Sequence, residues 1–134
     1  MDWAEIKKTI WTYLDTWTTT SIMWPGQSVR PSGTSWIEVH LLETDEDFRR
    51  KTGPDRGTAQ LQIGIFSKSE NQYVLDDIHD DLSTFLHQKD LISTNYQIRF
   101  GELTAVNVPW KEDENIEKIL QYRACTSQIT VWEV

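Results

Sequence analysis

The chain has 134 residues, of which 38% are hydrophobic and 25% charged, and 13 basic against 21 acidic side chains give a net charge of −8. This composition predicts one soluble globular domain and excludes a disordered chain. The acidic balance argues against nucleic-acid recognition, because phosphate backbones repel such a protein, and no apolar run approaches the roughly 20 residues of a membrane span.

Residues 2–17 have the pattern of an amphipathic helix. Asp2 is a candidate cap, and Glu5 stands at the partner position of a capping box. At about 100° per residue, one apolar stripe forms along the segment, and its members are Trp3, Ile6, Ile10, Tyr13, Leu14 and Trp17. Trp11 lies off this stripe, so either a loop covers it or it faces another subunit. The segment lacks the basic start and apolar block of a signal peptide, and we expect the protein to be made and used inside a cell, or assembled there.

Residues 18–35 form a long connection that contains Trp24-Pro25-Gly26. Proline and glycine interrupt regular structure here. Because Met23 and Trp24 are unusual in a solvated loop, we expect this segment to pack on the domain or on a neighbouring subunit.

Two alternating segments, residues 36–42 and 58–66, have the period of half-buried strands. Between them lies a charged stretch that predicts a long β-hairpin arm at about residues 43–57. An arm of this length exceeds the usual two to five residues of a hairpin loop and is typical of a segment that is either functional or disordered. Its basic cluster, Arg49-Arg50-Lys51, is flanked by acidic residues and therefore reads as a mixed-charge loop.

A second amphipathic helix is predicted from a capping box at Ser69 and Gln72 to about His87. Four aspartates occupy its polar face: Asp76, Asp77, Asp80 and Asp81. The helix spreads them too widely for a metal cage, so we interpret this face as solvated and, secondarily, as a candidate interface.

The last third of the chain predicts two more strands. Alternation at residues 96–100 continues at 106–108 after Gly101, a candidate bulge, and a polar turn at 111–115 leads into a strand at 118–132. The order is α-β-β-α-β-β, which predicts an α+β fold: a four-stranded, mainly antiparallel sheet with two helices packed on one face.

No pattern in the sequence predicts catalysis, a metal or a cofactor. The three histidines form no HExxH or Cys/His arrangement, the lone Cys125 has the character of a structural thiol, and no phosphate-binding glycine loop is present. The last strand has semi-polar residues on both sides, including Arg123. Because helices cover only one face of the predicted sheet, the open face either meets a partner or is simply hydrated.

The chain resembles the tail terminator (tail completion) proteins of long-tailed bacteriophages and their prophage-encoded relatives. The resemblance follows the order of elements and two motifs: PSGTSWIEV at residues 31–39 and AQLQIGIF at residues 59–66, with the charged arm ending at Arg56-Gly57 between them. It implies a virion protein that caps the head-proximal end of the tail tube as a hexameric ring, after assembly in the bacterial cytoplasm.

The resemblance also implies partners: copies of this chain, the tail tube protein and the head–tail connector protein, with DNA passing through the ring without sequence-specific binding and with no membrane contact. A ring requires head-to-tail contacts that close by rotation. Tryptophan and arginine are enriched at interface hot spots, and the interface candidates are Trp11, Trp24, Asp47, Phe48, Arg49, Arg50, Lys51, Arg56, Trp110 and Arg123.

Two alternatives remain open at the level of sequence. One is a head–tail connector or a minor tail component, and the other is a monomeric cellular module that binds a ligand or a protein. An enzyme is not expected. The subunit could also stay monomeric until it meets the tube.

Overall fold

A computed structural model describes residues 1–43, 56–71, 73–113 and 118–134, with side chains excepted at 106–113 and 118–120. The elements, in chain order, are α1 (Trp3–Leu14), β1 (Ser21–Met23), β2 (Ser35–Glu43), β3 (Arg56–Ser67), α2 (Val74–Leu86), β4 (Asp90–Ile92), β5 (Tyr96–Asp113) and β6 (Lys118–Glu133).

The strands form one mixed six-stranded sheet in the order β1-β2-β3-β6-β5-β4. The β1–β2 pair is parallel, with Ile22 opposite Ile37, and the other pairs are antiparallel. The expectation of a four-stranded, mainly antiparallel sheet is therefore wrong. The two additional strands, β1 and β4, are three-residue edge strands, and a segment of that length is too short to show a readable alternation.

Both helices pack against the same face of the sheet. The main core joins Ile6, Ile10 and Leu14 of α1 and Leu75, Ile78, Leu82 and Leu86 of α2 to the inward residues of the four long strands. Burial along β3 alternates over most of its length, as expected for a strand whose two faces meet different surroundings. In the described parts of the chain, no helix lies on the opposite face of the sheet, which we call the helix-free face.

The two helices begin differently. In α1 the Asp2 carboxylate accepts a hydrogen bond from the Glu5 backbone N–H, and the Asp2 N–H donates to the Tyr96 hydroxyl. In α2 the expected capping box is wrong: the helix begins at Val74, and the Ser69 hydroxyl accepts from the Asn71 N–H in a turn outside the helix. Short side chains bond their own neighbouring backbone readily, which shifts helix starts in this way.

The long β5–β6 hairpin contains two irregularities. The register shifts between Phe100 and Leu103, around the predicted bulge at Gly101, and again between Val108 and Lys111. The second shift includes Pro109, which has no N–H to give to the ladder. Beyond it β5 continues to Asp113, so part of the turn expected at 111–115 is strand.

The β2–β3 and β5–β6 connections leave the sheet at opposite ends. β3 begins at Arg56, opposite Trp132 near the end of β6, while the far end of β3 lies opposite Gln121. The β2–β3 connection thus leaves at one end, and the β5–β6 connection at the other. The predicted arm at 43–57 falls mostly on residues 44–55, which lie outside the described residues.

Candidate functional surface

Among the described residues, no helix packs on the helix-free face of the sheet. Since Ile37 and Val39 of β2 point into the core, Trp36, Glu38 and His40 lie on the helix-free face. The paired strands place uncharged polar residues across its middle, namely Gln60, Gln62, Gln128, Thr104, Thr126 and Thr130. A polar sheet face of this kind is suited to contact with water or with a polar partner surface.

An aromatic row crosses one end of the helix-free face. Trp36, Phe66 and Tyr122 occupy paired positions on three adjacent strands. The Trp36 and Phe66 rings stack with centroids 5.4 Å apart, and Phe66 and Tyr122 are 4.8 Å apart. Arg30 and Lys68 lie over the Trp36 ring, at 5.5 Å and 5.6 Å from its centroid. The row is therefore already a surface on which cationic side chains rest.

A depression of about 340 Å³ adjoins the aromatic row. We call it the Glu38 pocket, and its lining on the helix-free face includes Glu38, His40, Gln62, Gly64, Phe66, Tyr122, Ala124 and Thr126. It exists because Gly64 and Ala124, which pair with each other, are too small to fill the space between the rings and the next polar row. The pocket thus combines a carboxylate, a histidine and two aromatic rings.

The other end of the same face carries a tryptophan between two arginines. Arg56 and Arg99 lie 5.7 Å and 5.8 Å from the centroid of the Trp132 ring. Asp90 holds Arg99 through two bonds of 2.7 Å and 3.0 Å. The hydrogen bonding from Arg99 and its positive charge lower the pKa of the Asp90 carboxyl below its usual value. One of the two arginine charges is therefore already balanced.

A groove of about 530 Å³ separates α1 from the edge strand β4. The hydroxyls of Thr9 and Thr12 in its wall bond back to the carbonyls of Glu5 and Lys8. Ile92, on the edge strand, is 77% exposed. Because these hydroxyls are already hydrogen-bonded, the groove is more apolar than its threonines suggest. Within the described part of the sheet, β4 also has one backbone edge that no other strand pairs with.

The structure brings two of the sequence-predicted interface residues together. Trp11 of α1 and Trp24 of the following connection meet edge to face, with ring centroids 5.7 Å apart. Both are half-buried and pack against the main core. Their geometry supplies an intramolecular contact for Trp11, and their role in contacts between subunits stays a prediction.

Arg123 and Arg56 lie on opposite faces of the sheet. Arg123 lies on the helix side, where its guanidinium donates to the Asp76 carboxylate at 2.6 Å and is only 16% exposed. Arg56 lies on the helix-free face, beside Trp132.

The other predicted interface residues cannot be placed against these surfaces. Asp47, Phe48, Arg49, Arg50 and Lys51 lie outside the described residues, and only the backbone of Trp110 is described. The predicted candidates thus form no single described patch. Sequence reasoning did not single out Glu38, Phe66 or Tyr122, although the alternation that put Ile37 and Val39 inward also indicated an outward Glu38.

The described residues contain no group of three side chains able to hold a metal ion. Burial raises the pKa of the Cys125 thiol to about 11, which leaves it protonated and unreactive at neutral pH. Among the same residues, no helix combines the length and apolar character that a bilayer crossing needs.

Comparisons with known proteins show similarity in fold to two solved structures. No protein-family model and no curated protein matches the chain. A chain from the virion of a native gene transfer agent (GTA) particle is similar in structure, with a TM-score of 0.61 and 13% sequence identity over 97% of this chain and 95% of that one. A second solved structure, for which no function is stated, has a TM-score of 0.60 and 9% identity over 98% of this chain and 92% of the other.

Proposed function

We propose that this protein is a structural subunit of a phage-like virion. The single observation that carries this proposal is the likeness to a chain of the gene transfer agent virion, which extends over nearly the full length of both chains. A likeness of this extent concerns the overall fold and not one short motif.

Within that class we propose a tail terminator. In this role the chain forms a hexameric ring on the head-proximal end of the tail tube, stops tube polymerisation and offers a docking surface to the head connector. The order of elements and the motifs at residues 31–39 and 59–66 support this narrower role. No catalysis is proposed for it, and the net charge of −8 suits a channel that DNA must traverse without adhering.

The experiment that tests the role is electron microscopy of particles from a producing strain that lacks the gene. Overlong tail tubes, restored to normal length by a plasmid copy, are the result expected of a terminator. Finished tails that fail to join heads would instead indicate a connector or a minor tail component. Normal infectious particles would overturn the virion role altogether.

Sedimentation of the purified protein separates the virion role from a cellular binding module. A ring subunit should form hexamers, either alone or when purified tail tubes are added. A chain that stays monomeric over the full concentration range, and does not sediment with tubes, would support the cellular module instead.

A further inference from the structure

The outer edge of β4 carries backbone hydrogen-bonding groups that the described sheet does not use. The Lys89 carbonyl and the Ser93 N–H are both bonded to β5 or its first residue. In an antiparallel pair every second residue bonds to the neighbouring strand. The N–H and C=O groups of Asp90 and Ile92 therefore point away from β5, at an edge that no described strand covers.

This edge lacks most of the features that protect edge strands from pairing. Prolines, bulges and unpaired charges commonly do so. β4 contains no proline and pairs with β5 in unbroken register, and its one charged residue, Asp90, is held by Arg99 through two bonds. The edge is thus open to an added strand, and its length of three residues limits the contact to a short segment.

The groove between α1 and β4 lies beside this edge. Leu91 on its β4 side packs partly against the main core, and the Tyr13 ring on its α1 side stacks on Phe85 at 4.3 Å. Side chains alternate along a strand, so a residue opposite Leu91 on an added strand would point to the helix side and enter the groove. An apolar side chain there would remove the exposed parts of Leu91 and Tyr13 from water.

The charged groups around the groove favour an acidic side chain. The Glu5 carboxylate accepts from the Asn95 amide at 3.3 Å, whereas Lys8 on the same wall is exposed. Lys89 lies over the Tyr13 ring, 5.5 Å from its centroid. Neither lysine forms an ion pair within the described part of the chain, so a carboxylate on the partner would meet a complementary charge.

We propose that the outer edge of β4 receives an extended segment of a partner protein as an added strand. The segment carries an apolar side chain opposite Leu91 and an acidic residue two positions away, on the same face. Backbone bonds to Asp90 and Ile92 supply affinity, and the groove supplies the preference for these side chains. The proposal rests on β4 and the groove and does not depend on the virion role.

Nuclear magnetic resonance titration of the full ¹⁵N-labelled chain tests this. The probe is the peptide acetyl-Thr-Val-Thr-Asp-Thr-amide, and its control is the same peptide methylated on every backbone nitrogen, which cannot donate to a strand. We expect saturable shifts of the backbone signals of Asp90, Leu91 and Ile92, with a dissociation constant in the millimolar range. The methylated peptide should produce no saturable shift.

Exchange of amide hydrogens with water distinguishes strand addition from binding in the groove alone. At a free peptide concentration of about five times the dissociation constant, exchange at the Asp90 and Ile92 N–H groups should slow about sixfold, because it then requires the unbound chain. The amides of β1, at the opposite edge of the sheet, are the internal control and should keep their rates.

Ile92→Pro removes the outward N–H without removing a bond to β5, and proline is tolerated in edge strands. Ile92→Thr is the matched control, because it also removes the isoleucine side chain but keeps the N–H. The proline variant should bind the peptide about fivefold more weakly than the threonine variant. A peptide with Lys in place of Asp should bind the original chain more weakly, and Lys8→Gln should reduce that difference.

Several results would overturn the proposal. They are the absence of shifts at β4, equal binding of the methylated peptide, unchanged exchange at Asp90 and Ile92, and equal binding by the two Ile92 variants. Equal binding of the Asp and Lys peptides would refute the acidic partner. If simple dilution of the protein moves the same signals, a second copy of this chain covers the edge instead.

Discussion

Gly64 determines the shape of the helix-free face at the scale of a single residue. It pairs with Ala124 on β6 and Glu38 on β2, and the Phe66 and Tyr122 rings occupy the space that a side chain would need. Phe66 is 5% exposed and stacks on Trp36, so its ring has little freedom to move aside.

Gly64→Ala should therefore destabilise the protein by about 1–3 kcal/mol through overpacking. Urea unfolding followed by tryptophan fluorescence measures the change. Gly33→Ala is the control, because a Cβ atom there meets nothing closer than the Ser35 carbonyl oxygen at 3.4 Å, and its effect should stay within about 0.5 kcal/mol. Equal losses in the two variants would contradict the crowding argument.

Cys125 should behave as a buried thiol. Burial raises its pKa from 9.0 to about 11, so at pH 8 the native chain should react with a disulfide reagent far more slowly than the urea-unfolded chain. Because the folded pKa lies above the unfolded one, this group's contribution to stability is complete below pH 9 and is lost as the pH rises through about 11.

The comparison for this pH dependence is Cys125→Ala, which should lose less stability between pH 8 and 11 than the original chain loses. Parallel pH profiles for the two chains would show that the thiol makes no such contribution.

At the scale of elements, the acidic face of α2 is divided between structural and hydrated carboxylates. The Asp81 carboxylate accepts bonds from the Trp17 indole N–H at 2.8 Å and from the Thr19 hydroxyl. Asp76 binds Arg123 of β6. Asp77 is exposed and has no side-chain partner within the described part of the chain. The interpretation of all four aspartates as a hydrated face thus holds only in part.

Asp81→Ala should cost about 1–3 kcal/mol, because it leaves the buried Trp17 without its acceptor and releases the segment after α1 from α2. Asp77→Ala is the matched control on the same helix and should change stability by no more than about 0.5 kcal/mol. Thermal unfolding monitored by circular dichroism compares them. A similar loss in the two variants would argue that the Asp81 contacts contribute nothing beyond the general effect of removing charge from α2.

The long elements could be predicted from sequence because each is long enough to repeat its period. α1 and β6 were expected at residues 2–17 and 118–132 and are found at Trp3–Leu14 and Lys118–Glu133. The edge strands β1 and β4 could not be predicted from sequence, because three residues show no period and their pairing depends on distant strands.

The Glu38 pocket also depends on distant pairing. Its residues come from β2, β3 and β6, and only the register that places Gly64 beside both Glu38 and Ala124 creates the depression. Alternation indicated which residues point away from the helices, but it does not determine which strands are neighbours. The sequence therefore predicts which residues lie on the open face, but it does not predict the pocket on that face.

At the scale of the whole molecule, net charge and its distribution determine whether the protein binds DNA. The chain carries a net charge of −8. The positive end of the helix-free face consists of Arg56 and Arg99 around Trp132, and Asp90 balances Arg99. Such a spot offers too few free cations to hold a phosphate backbone against the repulsion from the rest of the molecule.

We therefore expect no measurable binding of a fluorescently labelled DNA duplex at about 150 mM salt, where even non-specific DNA-binding proteins reach dissociation constants near 10⁻⁴–10⁻⁶ M. Fluorescence anisotropy measures this. Asp90→Asn removes the carboxylate that balances Arg99, so it is the variant in which DNA binding is easiest to detect. Any DNA binding that this variant gains should appear only at low salt. Tight binding by the original chain, with affinity falling steeply as salt rises, would show several phosphate contacts and would contradict a surface past which DNA moves freely.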